Sequence, residues 1–211
     1  MAKESELFIE QVSGIPDAGP RIKKLDLIII HHTGVSAEEA IKLFKKSRGK
    51  SSSHYLITKT GEVKQFIADD RLANHLSGKQ PEKQRSLGIE LENSGRVDDP
   101  YPPAQYAALN KLLSELERKH KISHDNDHIK GHYEVDYNRD TGRKWDPSPN
   151  FDWTKVQLSN HPTLKTVMGN VDACTRYYDL WEKGCTDKCA KYGMKVGDYA
   201  TGQTCKIIFS K

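Results

Sequence analysis

The feature that most constrains this chain is an unbroken apolar run, LDLIIIHH, that ends in two histidines at residues 31 and 32. Its three consecutive isoleucines, at residues 28–30, are β-branched and leave no polar position for a solvent-facing side. Such a run is typical of a strand in a sheet that is covered on both faces. The sequence therefore predicts a buried central strand, Leu25–His32, with His31 at its carboxyl end.

The segments that follow alternate between helix and strand patterns. Ser36 followed by Glu39 is a capping-box pattern, which predicts the start of a helix. The runs 54–58 and 63–67 flank a Lys-Thr-Gly-Glu turn, which predicts a hairpin. Further predicted elements are strands at 86–91 and 128–132, a long helix opened by Pro102 and Pro103, and a last helix over 151–158. Interleaved strands and helices predict an α/β domain with a mixed central sheet flanked by helices.

The chain divides into three predicted parts. Residues 1–24 contain two glycines and two prolines and are expected to form an irregular arm. Residues 25–160 form the predicted main domain, which holds all the strands and helices named above. Residues 161–211 form a small extension that carries all four cysteines of the chain. A length of 211 residues suits one well-buried core with such an appendage.

The cysteines of the extension are Cys174, Cys185, Cys189 and Cys205. Four cysteines allow three disulfide pairings, and a module this small often needs cross-links, so two disulfides are the preferred interpretation. Disulfides would indicate an oxidising compartment. A structural zinc site is less favoured because the C-x2-C pairs usual for one are absent, and reduced, packed cysteines are the simpler alternative.

Charge and hydropathy leave several classes of protein open. A net charge of +4 suits an anionic polymer such as cell wall and suits nucleic acid equally well, so the charge alone favours neither partner. The chain shows no basic stripe or recognition motif of a nucleic-acid binder. No apolar run is long enough for a membrane span, and MAKESELFIEQ lacks the apolar stretch of a signal peptide. The missing signal and the cysteine tail give opposite indications about export, so the sequence leaves the compartment undecided.

Two histidines and one acid are candidate metal ligands. His31 and His132 end predicted strands, and Asp146 lies in the loop RKWDPSP. Ligands fixed at strand ends suit a catalytic zinc ion, which needs three protein ligands and one open position. Spacing alone does not select these histidines, because the chain has nine. The competitors are His32, His54, His75, His124 and His128.

Four segments, LIIIHHTG, SSHYLITKTGEV, SLGIELEN and GHYEVDYNRDTGRKWDPSPNFDW, stand in an order that is specific to one family. They resemble the zinc-dependent N-acetylmuramoyl-L-alanine amidases of the amidase-2 family, which includes AmpD-like recycling amidases, phage amidases and peptidoglycan recognition proteins. The resemblance covers residues 25–158 and implies zinc ligands at His31, His132 and Asp146, in a cleft at the sheet edge. It also implies hydrolysis of the amide bond between N-acetylmuramic acid and L-alanine in peptidoglycan or muropeptides.

Two more residues are expected to assist the metal. Glu90 alternates with Ile89 and Leu91, so its side chain is predicted on the opposite face of the strand. It resembles the general base of the family's GIE motif, and a salt-bridged strand residue is the alternative. Lys144 resembles the family lysine that stabilises the tetrahedral intermediate, and an exposed basic residue is the alternative there.

The chain departs from the family where some members carry a catalytic tyrosine, because Ser53 occupies that position. The resemblance makes His54 and His75 candidates for substrate contact, although His54 is equally interpreted as a histidine satisfied inside the fold. Residues 137–142 look like an insertion that would form a lip over the cleft.

The main alternative to an enzyme is a non-catalytic peptidoglycan-binding receptor of the same fold. Such a receptor would lack a zinc ligand, whereas all three ligand positions are filled here. We therefore expect an active amidase, as a monomer. The sequence does not separate a recycling enzyme acting on soluble anhydro-muropeptides from a lytic enzyme acting on intact wall.

Overall fold

The computed structural model describes residues 7–76, 81–96, 98–135, 146–148 and 150–162, and the backbone of two short strands further on. The strands are β1 Ile9–Gln11, β2 Leu27–His32, β3 Tyr55–Ile57, β4 Val63–Gln65, β5 Ser86–Leu91, β6 Ile129–Gly131, β7 Met194–Val196 and β8 Ile207–Phe209. The helices are α1 Ala37–Lys46, α2 Pro103–His120 and α3 His132–Val135, with 3-10 turns at Pro81–Gln84 and Trp153–Val156.

Within these residues, six strands form one sheet in the order β1-β4-β3-β5-β2-β6. The predicted hairpin is the antiparallel pair β3–β4, and the other neighbouring strands run parallel. The predicted α/β fold with a mixed central sheet is therefore confirmed.

The apolar run of the sequence forms β2, which is buried on both faces. Ile28 and Ile30 belong to the large core beneath α2, whereas Ile29 packs with Leu76 on the other face. All three isoleucines have no exposed surface. The absence of polar alternation is thus explained by a second covered face.

Helix α2 covers the first face of the sheet. Pro103 stands in its first turn, where the missing N–H breaks no helical bond, and Lys121 ends it with a left-handed φ of 57°. The predicted long helix is confirmed, and its apolar side chains are buried against the sheet: Tyr106, Leu109, Leu112, Leu113 and Leu116. Phe151 and Trp153 complete this core.

Helix α1 packs on the other face of the sheet. The Ser36 side chain accepts a hydrogen bond from the Glu39 N–H at 3.3 Å, as the capping pattern predicts. Phe44 packs against Leu56 and Phe66, which leaves α1 as one wall of a cleft beside β2 and β5.

Residues 9–11 do not lie in an irregular arm but form β1 at the edge of the sheet. β1 pairs in parallel with β4, with Ile9 opposite Val63. The same N-terminal segment inserts the Arg21 guanidinium among buried groups, where it donates to the backbone carbonyls of Asp69, Gln84, Arg71 and Ser86 at 2.8–3.2 Å. The segment is therefore part of the folded domain.

Two expectations near residue 130 and residue 151 need correction. His132 does not end a strand, because β6 stops at Gly131 and His132 is the first residue of α3. The predicted helix 151–158 is only the 3-10 turn Trp153–Val156. Asp152 caps its start through the Thr154 N–H, and Gln157 ends it with a left-handed φ of 61°.

Beyond residue 162 the structure describes only the antiparallel pair β7–β8. The four cysteines, the predicted lip and Lys144 lie outside the described residues, so the disulfides and the lip stay predictions. No helix in the described part of the chain has the length and apolar character needed to cross a membrane.

Candidate metal centre

The candidate ligands meet because parallel strands end at the same edge of the sheet. β2 lies between β5 and β6, and all three run in the same direction. His31 therefore stands at the carboxyl end of β2, close to the point where His132 follows β6. Clefts outside the carboxyl ends of parallel strands are the usual place for ligand sites in α/β sheets.

The three expected ligands form a compact triangle. His31 Nδ1 lies 2.8 Å from His132 Nδ1 and 3.0 Å from Asp146 Oδ2, and His132 Nδ1 lies 2.9 Å from the same carboxylate oxygen. Both histidines are buried, and the Asp146 side chain is 14% exposed. The structure thus brings together the trio implied by the resemblance.

Hydrogen bonds alone cannot satisfy all three contacts between His31 Nδ1, His132 Nδ1 and Asp146 Oδ2. A carboxylate oxygen only accepts hydrogen bonds, and an imidazole nitrogen carries at most one proton. If both Nδ1 atoms donate to Asp146, their two N–H groups face each other. If only one Nδ1 donates, the lone pair of the other Nδ1 faces the carboxylate oxygen, and these are two acceptors. A cation at the centre would satisfy all three atoms at once, and two imidazoles with one carboxylate are a donor set that catalytic zinc uses. The residues therefore fit a zinc ion.

Electrostatics keep the acid in its ligating form. Burial by itself would raise the pKa of Asp146, but His132 and His31 beside it hold that pKa well below its usual range. The carboxyl is therefore an anionic carboxylate near neutral pH, the state a metal requires.

His75 is buried against His31, one of the three candidate ligands. Its Nδ1 lies 3.1 Å from His31 Nε2, and its Nε2 lies 3.2 Å from Ser86 Oγ. Burial, together with the neighbouring imidazoles, lowers the pKa of His75 well below its usual value. His75 also lines the cleft, whereas the substrate contact implied by the resemblance stays a prediction.

Glu90 lies on the cleft face of β5. It is the register partner of His31, whereas its neighbours Ile89 and Leu91 point into the core on the other face, as the alternation predicts. Glu92, two residues on, accepts hydrogen bonds from the backbone N–H groups of Ala37 and Lys59 at 2.9 Å. Of the two glutamates of the SLGIELEN motif, Glu90 is the one that lines the cleft.

His54 and Ser53 lie in the interior rather than in the cleft. His54 is fully buried: its Nδ1 accepts a bond from the Gly88 N–H at 3.0 Å, and its Nε2 lies 3.2 Å from the Arg71 carbonyl. Burial, with the charge of Arg21, lowers its pKa to about 3. Ser53 donates to the Gly88 carbonyl at 2.8 Å. The structure therefore offers no His54 surface for the predicted substrate contact.

The ligand triangle opens into a cleft of about 370 Å³. One wall carries apolar surface from Leu43 and Phe44 of α1, and Lys50 and Ser51 follow in the adjoining loop. The sequence reasoning missed this wall. Leu43 has the spacing of an ordinary core residue, yet it is 47% exposed, and only the placement of α1 reveals its position.

Comparisons with known proteins agree with the fold and with the family that the sequence motifs resemble. A family model described as N-acetylmuramoyl-L-alanine amidase matches residues 21–149. The 1,6-anhydro-N-acetylmuramyl-L-alanine amidase AmpD of Salmonella typhimurium is 30% identical over 174 residues, which span 77% of this chain and 86% of that protein. AmpD of Enterobacter cloacae is 35% identical over 109 residues, which span 49% of this chain and 54% of that protein.

Solved amidase structures share the fold. The Escherichia coli amidase AmiD, in complex with anhydro-N-acetylmuramic acid-L-Ala-D-gamma-Glu-L-Lys, has a TM-score of 0.56 and 24% identity over 66% of this chain and 58% of that chain. The endolysin amidase LysCS from Clostridium intestinale has a TM-score of 0.54 and 21% identity over 73% of this chain and 96% of that chain. The predicted family and enzyme class are confirmed by the family model and the curated relatives together: the chain belongs to the N-acetylmuramoyl-L-alanine amidase family.

Proposed function

We propose that this chain is a zinc-dependent amidase that cleaves the bond between N-acetylmuramic acid and L-alanine in muropeptides. The observation that carries the proposal is the triangle of His31, His132 and Asp146 at the floor of an open cleft. Zinc, when bound, polarises a carbonyl as a Lewis acid and lowers the pKa of water to about 7. One carboxylate and two neutral imidazoles leave the site a net positive charge, which favours both effects.

The remaining chemistry falls to residues of the chain. The Glu90 carboxylate takes a proton from the attacking water and passes it to the leaving nitrogen of L-alanine. Its position in register with His31, on a rigid strand, supports this role. The Lys144 ammonium stabilises the oxyanion that forms at the scissile carbonyl; this assignment rests on the KWDPSP motif.

The proposed substrate is a soluble 1,6-anhydro-muropeptide. The curated relatives carry that substrate in their names, and AmiD is solved with an anhydro-muropeptide whose D-gamma-Glu offers a carboxylate. The cationic side chain of Lys50 in the cleft suits such an anionic stem peptide. Intact wall is the second candidate, supported by the endolysin among the structural neighbours.

The proposal is tested by mass spectrometry of products from soluble anhydro-muropeptides and from intact sacculi. We expect free stem peptide that begins with L-alanine, lost on complete chelation and restored by added zinc. The Asp146→Ala variant should release none. Release that survives removal of all zinc would refute the mechanism. Binding to sacculi without any cleavage of either substrate would instead support the receptor alternative.

A further inference from the structure

The second ring nitrogen of His31, Nε2, contacts His75, which is not one of the three candidate ligands. His31 faces the other two ligands through Nδ1, and its Nε2 lies 3.1 Å from His75 Nδ1. We propose that His75 is a positioning residue, which fixes the ring orientation and tautomer of His31 for zinc binding. This inference rests on the proposed zinc site and replaces the expected role of His75 in substrate contact.

Counting protons gives the hydrogen-bond chain a single direction. A lone pair on His31 Nδ1 directed at a cation leaves the ring proton on Nε2. That N–H donates to His75 Nδ1. The neutral His75 ring then carries its own proton on Nε2, which donates to Ser86 Oγ at 3.2 Å. Both imidazole N–H donors of the chain meet an acceptor, and the chain ends inside β5 at Ser86, which is fully buried.

The backbone beneath His75 is shaped to receive its ring. A Cβ atom at Gly88 would lie 2.6 Å from His75 Cγ and 2.7 Å from its Nδ1, so no larger residue fits there without moving the ring. Gly88 is itself held at both ends: its N–H donates to His54 Nδ1, and its carbonyl accepts from Ser53 Oγ. Ser53, at the family's tyrosine position, and its neighbour His54 thus hold the backbone against which the His75 ring packs.

Losing this contact should weaken the metal site without removing a ligand. An unrestrained His31 ring can rotate about its Cβ–Cγ bond and turn Nδ1 away from Asp146 and His132. Partners of this kind typically account for about 10–100-fold in metal affinity. A substrate-contact role for His75 predicts a higher KM and an unchanged affinity for zinc.

The experiment measures the zinc Kd of the full chain by chelator competition. His75→Leu removes the acceptor, whereas His75→Asn places its Oδ1 where Nδ1 stood and restores one. The control is His124→Gln, at a histidine that bonds Glu117 and the Val156 carbonyl instead of cleft residues. We expect about 10–100-fold weaker binding for His75→Leu, near wild-type binding for His75→Asn, and no change for the control.

A second variant covers the case in which His75→Leu does not fold, as judged by circular dichroism of the apo-protein. Gly88→Ala keeps every polar group and displaces the His75 ring, so it too should weaken zinc binding. Wild-type affinity in His75→Leu, or in Gly88→Ala when His75→Leu is unfolded, would overturn the inference and leave the proposed function standing. A wild-type chain that binds no zinc would overturn both.

Discussion

The Glu90→Gln variant tests whether catalysis can be lost while the metal stays bound. The substitution keeps the size of the side chain and removes its ability to take a proton. Because Glu90 is not one of the three residues that form the ligand triangle, we expect the variant to retain zinc. Because Glu90 is in register with His31 and lines the cleft, we expect the variant to lose most of its rate.

The size of the loss follows from the role. A positioned general base typically contributes about 10²–10⁴-fold to the rate. At about 1.4 kcal/mol for each factor of ten, this corresponds to about 3–6 kcal/mol of transition-state stabilisation. The loss should appear in kcat, with little change in KM, since the proton transfer belongs to the transition state.

Glu92→Gln is the matched control, two residues away and directly after the end of β5. Its carboxylate bonds the N–H groups of Ala37 and Lys59, and the amide can keep only one of these bonds. We expect it to cost about 1–3 kcal/mol in the free energy of unfolding, with kcat nearly unchanged.

The assay combines kcat and KM on an anhydro-muropeptide, zinc content by mass spectrometry, and urea unfolding for both variants. A Glu90→Gln enzyme that keeps its zinc and more than about a tenth of wild-type kcat is incompatible with Glu90 as the base. Equal loss of kcat in Glu92→Gln would show that the strand, rather than one carboxylate, is responsible.

Three further substitutions test other parts of the structure. Arg21→Ala removes one hydrogen-bond donor from each of four backbone carbonyls and should lower the free energy of unfolding by at least about 3 kcal/mol. If residues 1–24 were a dispensable arm, urea unfolding would not change. Burial opposes ionisation of Asp69, but bonds from Lys119, Tyr55 and His120 lower its pKa, so its stabilisation is present above about pH 4 and lost as the pH falls through the folded value. Asp69→Asn should therefore be less stable than wild type at pH 7, with a gap that narrows towards pH 3; a gap independent of pH contradicts this. Lys144→Ala should lower kcat about 10²–10³-fold with zinc retained, and an unchanged kcat removes Lys144 from the mechanism.

Local sequence patterns predicted the helices and strands whose buried faces consist of residues close together in the sequence. The isoleucines of β2 and the apolar face of α2 bury whole strands and helix faces, so their periodicity matches their environment. The SLGIEL strand matches β5 at both ends, and its alternation placed Glu90 on the correct face. These features depend only on residues that are near one another in the sequence, so they can be predicted from the sequence of one chain.

Features that depend on distant partners escaped the sequence. β1 is a strand only because β4 supplies its backbone partners, 54 residues along the chain. The sequence around His54 and His75 does not distinguish their environments. Only the packing against β5 shows that His54 is enclosed and that His75 lines the cleft. The ligand trio came from the resemblance of ordered motifs, since its members are separated by up to 115 residues.

The most direct test of the zinc mechanism is a titration of metal-free enzyme with zinc, followed by activity on an anhydro-muropeptide. If His31, His132 and Asp146 hold the catalytic ion, activity should rise from zero in proportion to added zinc and level off at about one ion per chain. The Asp146→Ala chain should stay inactive throughout. Full activity in the metal-free enzyme, or recovery of the Asp146→Ala variant at the same zinc ratio, would contradict the account.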